Sequence, residues 1–385
     1  MTLLFRCDRI FVLHKKEALV VKRRRGAMLK KLTVALLTVV LALSMIQCAS
    51  AVTLAKQKDR GIKITLKATK GNYPVNPVIE GESPTTGLPW QGDYRPMLVQ
   101  IDNYNGGVGE FAPWGASEAD IIYEMPLASA GQTRLTFLFS DVIPESAGPV
   151  RSARLGHVWL REEWDAGFLY YGGPQSEEVS ITREFSKLGA TKKGVLFNGT
   201  DGTNKPWKAY YSRVRWKTAP SNVDANVAAI QGLLPAKHKA PDRPFLFTDE
   251  YPVNGQQAVN VTLNWPHKAY VSTFIYEEIL GQYVRTVAGV PYVDDTTFEQ
   301  IAFSTIIVQR VKVSYSAGSA QPNVSSIGKG NADIFMGGRY IAGYWVRSAM
   351  SQRTIFLDEK GNELKLLRGK AFISLMPASH SVDFN

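Results

Sequence analysis

Gly148-Pro149-Val150-Arg151-Ser152-Ala153-Arg154 closes a stretch that begins at Arg95 and places charged residues beside short apolar runs. These runs are typical of β-strands, because apolar and β-branched residues dominate them; they are Met97–Ile101, Asp120–Met125 and Leu135–Phe139. A buried charge is tolerated only when it is paired or hydrogen-bonded. The stretch therefore predicts a sheet with either an internal ion network or a polar site at its strand ends.

Helix signals follow this stretch and alternate with further strands. Leu155, Val158 and Trp159 have helical spacing within Ser152–Trp164, and Ser176–Leu188 has helix start and stop signals. Ser221-Asn222-Val223-Asp224 resembles a capping box and predicts a helix to about Gln231. Alternation of strand and helix predicts a mixed α/β domain.

After Pro244 the sequence is rich in β-branched and aromatic residues, which predicts an antiparallel β-rich domain. Gly328–Gly338 is predicted to be a glycine-rich turn region. The polar, proline-containing segment Lys237–Pro244 is typical of a domain boundary. The fold class is therefore α+β, with an N-terminal mixed α/β domain and a β-rich C-terminal domain, each expected to hold its own core.

The N-terminal segment has the pattern of an export signal. Met28-Leu29-Lys30-Lys31 precedes the uncharged apolar run Leu32–Ile46, which is too short for a comfortable membrane span. Residues 1–27 are interpreted as an upstream extension. A short membrane anchor is the alternative interpretation.

Two processing outcomes compete at the end of this signal. Ala49-Ser50-Ala51 matches a cleavage site that would release a chain beginning at Val52. Cys48 lies where a lipidated cysteine would lie, although Gln47 is a poor residue before it. The sequence slightly favours simple cleavage over lipidation at Cys48.

Removal of this leader changes the charge balance. Residues 1–51 hold 10 of the 45 Lys and Arg residues and 2 of the 34 Asp and Glu residues, which leaves 35 against 32, a net charge of +3. Nucleic acid is therefore not implied as a partner. Both cysteines, Cys7 and Cys48, lie in or beside the leader, so no disulfide is expected in the mature fold.

These observations divide the chain into four predicted segments. Residues 1–51 are the upstream extension and signal peptide, and residues 52–93 are a flexible spacer. Residues 94–240 form the α/β domain, and residues 245–378 form the β-rich domain.

Ten residues between the first strand and the arginine-rich turn are candidates for a ligand site or a structural ion cluster. They are Asp102, Asn103, Glu118, Asp120, Glu124, Thr133, Arg134, Arg151, Ser152 and Arg154. Arginines are unfavourable at a helix start, because the first turn carries free N–H groups and a positive dipole end. A negative group should therefore compensate Arg151 and Arg154, either an internal carboxylate or an external anion. Solvated arginines are the third possibility.

Catalytic signals are weak. Asp102, Asp120 and Glu124 are potential acid–base groups for a hydrolase, with Arg134, Arg151 and Arg154 as a clamp for an anion. However, no P-loop, zinc-protease, nucleophile-elbow or C-x-x-C motif occurs. The catalytic residues remain unknown, and no metal and no cofactor are predicted.

The order of these motifs resembles that of the YerB-like bacterial lipoprotein family, a domain of unknown function (DUF3048) with N- and C-terminal domains. The resemblance in the first half is carried by Arg95-Pro96, Asp102-Asn103, Glu118-Ala119-Asp120-Ile121, Tyr123-Glu124, Thr133-Arg134 and the run from Gly148 to Arg154. In the second half it is carried by Gln282-Tyr283-Val284-Arg285, Ile306-Ile307-Val308, Gly337-Gly338-Arg339 and Asp358-Glu359-Lys360-Gly361. The resemblance implies an exported, usually lipid-anchored envelope protein with no established enzymatic activity.

The expected function is that of an extracytoplasmic binding or scaffold protein that assists cell-wall assembly. Its expected partner is an unidentified cell-wall component or envelope protein, and membrane association is expected only through the N-terminal signal or a lipid anchor. The alternative is a hydrolase that acts on wall glycans or anionic wall polymers.

We expect residues 28–51 to direct export when they are fused to a secreted reporter, because they contain the basic start, the apolar run and the cleavage site. N-terminal mass analysis of the exported chain should find either Val52 or a lipidated Cys48. Recovery of an intact residue 1–27 segment on a cytoplasmic protein would contradict this expectation.

Overall fold

The computed structural model of the protein describes residues 52–54, 75–103, 113–315 and 319–385. The predicted export signal, Cys48 and the upstream extension lie outside the described residues. Among the described residues, no helix is both long enough and apolar enough to cross a membrane.

Strands make up most of the regular secondary structure of the described chain, and they are numbered here in chain order. They are β1 (Val52–Leu54), β2 (Met97–Asp102), β3 (Ile121–Pro126), β4 (Thr133–Phe139), β5 (Gly167–Tyr170), β6 (Leu196–Asn198), β7 (Tyr211–Arg213), β8 (Val223–Ala225), β9 (Leu246–Thr248), β10 (Gln256–Gln257), β11 (Asn260–Leu263), β12 (Ser272–Glu277), β13 (Gln282–Val287), β14 (Val290–Pro291), β15 (Ala302–Phe303), β16 (Thr305–Tyr315), β17 (Pro322–Ser325), β18 (Gly328–Met336), β19 (Arg339–Arg347), β20 (Ile355–Leu357), β21 (Lys365–Leu367), β22 (Ala371–Pro377) and β23 (Val382–Phe384).

The helices are few and short. The α-helices are α1 (Leu155–Trp164), α2 (Ile181–Lys187), α3 (Ala190–Lys193) and α4 (Val227–Gln231). Short 3-10 helices lie at Ala116–Glu118, Pro206–Tyr210 and Lys268–Tyr270.

Two sheets dominate the fold. The larger is a mixed 12-stranded sheet with the order β10-β19-β18-β16-β22-β3-β4-β2-β5-β6, in which β17 pairs with β16 and β20 pairs with β19. The smaller has seven strands in the order β1-β23-β11-β12-β13-β14, with β15 beside β13. Its pairs are antiparallel. The predicted α+β class, with a mixed N-terminal sheet and a mainly antiparallel C-terminal region, is therefore confirmed.

The large sheet contains strands from both predicted domains. β22 pairs in parallel with β3, with Ala371 opposite Ile121 and Phe372 opposite Ile122. The expectation that each half holds its own core is wrong, because the central strands of the two halves are hydrogen-bonded neighbours. The division of the chain into domains at residues 94–240 and 245–378 stays a prediction.

The large sheet is covered on both faces. On one face, the ring of Phe372 lies 4.9 Å from that of Phe274 in the smaller sheet. On the opposite face, the indole N–H of Trp164 in α1 donates to the hydroxyl of Tyr123 at 2.9 Å. Phe185 of α2 also packs on this side, against Phe168 of β5. Side-chain alternation along the strands therefore supplies two apolar cores from one sheet.

Part of the predicted spacer packs on the fold. Ser83, Thr85 and Thr86 are buried. The hydroxyls of Ser83 and Thr86 each donate to the Asp141 carboxylate at 2.6 Å. A free spacer up to Asp93 is therefore wrong for residues 83–86, because these hydrogen bonds hold the turn against the sheet. Residues 55–74 of the predicted spacer lie outside the described residues.

Two local predictions fail because strand pairing overrides the local signals. The predicted helix from Ser221 to Gln231 begins only at Val227, and Asn226 caps it by accepting the Ala229 N–H. The residues before it form β8, which pairs with β7. The predicted turn at Gly328–Gly338 is largely β18, which pairs with β16 and β19 and reverses at Gly337-Gly338.

We expect residues 245–385 expressed alone to lack a cooperative fold, because β22 would lose its neighbour β3 and expose one edge and two apolar faces. Co-expression with residues 52–240 should restore a soluble complex in which the two fragments co-elute. Circular dichroism during urea unfolding provides the measurement. A sharp unfolding transition of the isolated 245–385 fragment would contradict the shared-sheet interpretation.

Candidate functional site

Six strands of the large sheet run in the same direction, so their carboxyl ends lie along one edge. β2, β5 and β6 are parallel neighbours, and β16, β22 and β3 form a second parallel group. β4 lies antiparallel between β2 and β3, which therefore point the same way. Ligands of open α/β sheets bind outside the carboxyl ends of the strands. This edge is consequently the expected position of a binding site.

The polar residues at this edge divide between the two faces of the sheet. Asp102 and Arg134 are directly opposite each other in β2 and β4. By alternation they lie on the face covered by α1 and α2, where Leu98 and Leu138 also lie. Glu124 lies on the other face, toward the smaller sheet. The edge therefore carries two separate polar groups rather than one.

On the helix-covered face, two arginines contact one carboxylate, and a third arginine lies near them. Asp102, Arg134, Arg151 and Arg154 are called the arginine cluster from here on. Nη2 of Arg134 donates to Oδ1 of Asp102 at 3.3 Å. Nε of Arg151 lies 3.0 Å from Oδ2, an ion-pair contact without the alignment of a hydrogen bond. Among the described residues, no carboxylate lies within ion-pair distance of Arg154.

The turn that carries Arg151 and Arg154 is fixed between the ends of two strands. The Arg151 N–H donates to the Gln100 carbonyl in β2 at 2.8 Å. The Ala153 N–H donates to the carbonyl of Gly172, just after β5, at 3.0 Å. These backbone bonds hold the arginines at the carboxyl edge regardless of any contact that their side chains make.

The start of α1 adds further hydrogen-bond donors to the cluster. The Arg154 N–H donates to Nδ1 of His157 at 2.9 Å. The neutral imidazole therefore carries its proton on Nε2, which has no partner within the described part of the chain. Ser152 is used in two directions: its carbonyl accepts Nη1 of Arg134 at 2.9 Å, and its hydroxyl donates to the Tyr171 carbonyl at 3.0 Å.

The pKa shifts in this cluster reflect an excess of positive charge. Burial, together with the charges of Arg134 and Arg151, lowers the pKa of Arg154 to about 10. Burial and the two neighbouring arginines, Arg134 and Arg154, hold the pKa of His157 well below its usual range. Each positive charge disfavours the protonated form of the neighbouring cationic groups. A bound negative group would therefore stabilise the protonated forms of the whole cluster.

On the opposite face, Glu124 is the centre of a buried network, in which Nε and Nη1 of Arg285 have no hydrogen-bond partner within the described part of the chain. Glu124, Asn103, Thr133, Trp265 and Arg285 are called the Glu124 node. Oε1 of Glu124 accepts from Asn103 at 2.9 Å and from the Thr133 hydroxyl at 2.8 Å. Oε2 accepts from the Trp265 indole at 3.0 Å. Arg285 of the smaller sheet lies 3.9 Å from Oε1 and supplies the opposite charge.

Arg285 is enclosed by aromatic rings and polar partners. Its guanidinium lies 4.3 Å from the ring centre of Tyr292 and 5.0 Å from that of Phe372. Nη2 donates to the Ser272 hydroxyl at 3.0 Å and to Oδ1 of Asn103 at 3.3 Å. Burial raises the pKa of Glu124, and Arg285 and the hydrogen bonds oppose that rise. Both charges of the node are fully buried, which is the arrangement expected of a structural ion network.

Asp120 lies at the opposite end of β3 from Glu124. Its Oδ2 accepts from the N–H and the hydroxyl of Ser140, both at 2.7 Å, and from the Thr85 hydroxyl at 3.1 Å. Burial and the nearby Asp141 carboxylate raise the pKa of Asp120 to about 7. Asp120 therefore belongs to the interactions that hold the 83–86 turn, and not to the carboxyl edge.

Glu118 belongs neither to the arginine cluster nor to the Glu124 node. Burial and the charge of Asp294 raise its pKa, and Lys370 opposes that rise. The structure thus brings together Asp102, Arg134, Arg151, Ser152 and Arg154, and separately brings together Asn103, Glu124 and Thr133. It does not bring Glu118 or Asp120 to either group. Whether the first group binds a ligand stays a prediction.

Sequence reasoning missed the partners that complete the Glu124 node. Arg285 carried a signal, a lone cation within the apolar strand run of β13, but nothing local identified Glu124 as its partner. Trp265 and Ser272 lie in an irregular segment and a strand start, where no local pattern indicated a buried role. His157, in the first turn of α1, accepts the Arg154 N–H through Nδ1.

A large surface cavity lies away from this edge. It has a volume of about 890 Å³ and lies near the amino ends of β2 and β5, between residues 78–95 and 232–242. In the parts of the chain that the structure describes, no three His, Cys, Asp or Glu side chains are grouped as a metal site requires.

Comparison with known proteins identifies the family. Residues 85–240 match the model described as "Protein of unknown function (DUF3048) N-terminal domain", and residues 261–373 match the corresponding C-terminal domain. The chain belongs to the DUF3048 family. The predicted resemblance is therefore confirmed.

Within the DUF3048 family, one relative is named "Putative lipoprotein YerB", from Bacillus subtilis (strain 168). It is 27% identical over 308 residues, which cover 77% of this chain and 86% of that protein. The crystal structure of the YerB protein from Bacillus subtilis is similar with a TM-score of 0.63 and 23% identity, and the match covers 78% of this chain and 99% of that chain. This similarity shows a shared fold.

We expect Arg285→Met to lower the free energy of unfolding by about 3–5 kcal/mol, because it leaves the Glu124 carboxylate buried without its cation. The double variant with Glu124→Gln should recover part of this loss, since no buried charge then remains. Urea unfolding provides the measurement, with Arg183→Met on the exposed surface as the control. A loss below about 1 kcal/mol in the single variant would contradict a structural role.

Proposed function

We propose that this chain is a non-enzymatic binding protein of the bacterial cell envelope, and that it binds an anionic group of an envelope component at the arginine cluster. The export signal pattern and the name of the Bacillus relative support an envelope location. The anchor is the signal itself or a lipid on Cys48. The component that carries the anionic group would be part of the wall or an envelope protein.

The observation that carries this proposal is the charge imbalance of the arginine cluster. Asp102 is shared by Arg134 and Arg151. Arg154 has no carboxylate within ion-pair distance in the described part of the chain. The Nε atoms of Arg134 and Arg154 and Nε2 of His157 are buried donors without a partner there. A set of unpaired donors and surplus positive charge favours an anion.

The position of the cluster also supports binding. Arg151, Ser152 and Arg154 are only partly buried, so part of each residue is exposed to solvent, while the Nε atoms of both arginines are buried. They lie at the carboxyl edge of parallel strands and at the start of α1, where backbone N–H groups and the helix dipole favour negative charge. Arg134 and His157 are buried, so they would attract a bound anion electrostatically from a distance and would not contact it directly.

The hydrolase alternative receives less support. General acid–base hydrolysis of glycans requires two carboxyl groups that flank the substrate. Glu124 is fully buried within its node, and Asp120 is buried beside Ser140 and Thr85 at the other end of β3. Asp102 is occupied by two arginines and the Ser221 hydroxyl. No pair of these carboxylates faces a common open cleft.

The decisive variant is Arg154→Gln, because this arginine has no carboxylate to lose. We expect it to weaken the binding of inorganic phosphate by about 10- to 100-fold, the usual value of a charge-assisted hydrogen bond. The urea midpoint should stay unchanged or rise, since no internal ion pair is broken and repulsion from Arg134 and Arg151 is relieved. Titration calorimetry on the processed protein, with Arg183→Gln as the control, provides the measurement.

A purely structural cluster would give the opposite pattern. In that case the wild-type protein would show no affinity for phosphate or sulfate, and the only effect of Arg154→Gln would be a lower urea midpoint.

A further inference from the structure

A strongly basic and aromatic segment lies beside the arginine cluster. Residues 202–223 contain five Lys or Arg residues and no Asp or Glu. Four aromatic residues are interleaved with them, Trp207, Tyr210, Tyr211 and Trp216. The mature chain as a whole is nearly balanced in charge, so this concentration is a local feature. The segment includes β7 and is called the basic hairpin, because β7 pairs with β8 at its end.

The basic hairpin is fixed to the carboxyl edge of the large sheet. The Tyr211 hydroxyl donates to the Phe197 carbonyl in β6 at 2.7 Å, and the Trp207 indole donates to the Asn198 carbonyl at 3.2 Å. Lys208 donates to the Gly199 carbonyl. The hairpin is therefore held at the end of β6, two strands away from β2, where Asp102 lies.

Tyr171 connects the basic hairpin to the arginine cluster. Its N–H donates to the Arg151 carbonyl at 3.0 Å, and its carbonyl accepts from the Ser152 hydroxyl. Its ring lies 5.5 Å from Nζ of Lys208 and 5.6 Å from the guanidinium of Arg213. Lys208 and Arg213 of the hairpin therefore share the ring of Tyr171, whose backbone is bonded to Arg151 and Ser152 of the neighbouring turn.

The cations of the hairpin are not compensated. Within the described residues, no carboxylate lies within ion-pair distance of Lys205, Lys208, Arg213 or Arg215. Lys217 is different, because it is buried and paired with Asp295. Like charges that gather without carboxylate partners repel one another, so an extended anionic ligand would stabilise them.

Exposed aromatic side chains accompany these cations. The side chain of Trp216 is 58% exposed and that of Tyr210 is 38% exposed. The ring of Trp216 packs against that of Trp114, with ring centres 6.1 Å apart, which restricts its orientation. An exposed aromatic face beside cations suits a ligand in which uncharged carbon units alternate with anions.

We propose that the basic hairpin and the arginine cluster together bind a phosphodiester polymer, with its phosphates on the arginines and lysines and its polyol or sugar units on Trp216 and Tyr210. This inference rests on the proposed function and specifies its ligand. A single anion would use only one part of the edge, whereas a chain of phosphates uses all of it. A flat lipid surface fits less well, because Arg154 is partly buried between the strand ends.

The test compares glycerol phosphate with short and long glycerol phosphate oligomers on the processed full chain. Long oligomers should bind the wild-type protein at least about a hundredfold more tightly than the monomer, through simultaneous contacts. The variant Lys205→Gln/Lys208→Gln/Arg213→Gln/Arg215→Gln should lose this gain and keep the affinity for the monomer. A control with four exposed lysines changed to Gln elsewhere, Lys237, Lys239, Lys268 and Lys360, should behave as wild type.

A second variant separates the aromatic contribution from charge. Trp216→Ala should weaken the binding of the glycerol phosphate polymer several-fold but leave the binding of inorganic polyphosphate, which has no carbon units, unchanged. Equal loss for both polymers, or for neither, would overturn the role given to Trp216.

The remaining outcomes distinguish this inference from the proposed function. Binding of phosphate without any gain from polymer length would overturn the inference alone. Absence of binding to every phosphate compound would overturn the proposed function as well. Tighter binding of polyglutamate, of single-stranded DNA or of anionic phospholipid vesicles than of the glycerol phosphate polymer would overturn the assignment of the ligand.

Discussion

The buried charge of Glu124 constrains the rest of the structure. A carboxylate in a protein core is stable only when hydrogen bonds and an opposite charge surround it. In this protein its partners come from β2, β4, the segment before β12, and β13. Satisfying one side chain therefore requires both sheets and both halves of the chain to assemble. The parallel pairing of β3 with β22 places Glu124 in the centre of the large sheet.

The two polar groups at the carboxyl edge differ in their charge balance. In the Glu124 node, one carboxylate faces one guanidinium, and both are fully buried. In the arginine cluster, one carboxylate faces two arginines, and the third lacks a carboxylate among the described residues. The first arrangement holds the fold together. The second leaves surplus positive charge at the surface, which continues through Tyr171 into the basic hairpin. This difference underlies the proposed binding role.

Local patterns predicted the fold well where a strand has its own apolar run. β2, β3 and β4 were recognised because their residues are apolar and β-branched, which favours strands wherever they lie. β18 was missed, since its glycines indicated a turn. Its pairing with β16 and β19 holds these glycines in an extended strand. β8 was taken for a helix, because Ser221-Asn222 resembles a cap. In both cases the pairing partner is distant or follows a loop, and no local signal describes it.

The sequence by itself determined the α+β class, the export signal pattern, the family and the candidate residues at the strand ends. These properties depend on composition, periodicity and short motifs, which are local. Only the tertiary structure decided which charges meet. It separated Asp120 from Glu124 and paired Glu124 with Arg285. It also brought Lys208 and Arg213 to the ring of Tyr171, whose N–H is bonded to the Arg151 carbonyl. These contacts join residues that are far apart in the chain, and a charge recognises its partner by distance in space and not by position in the sequence.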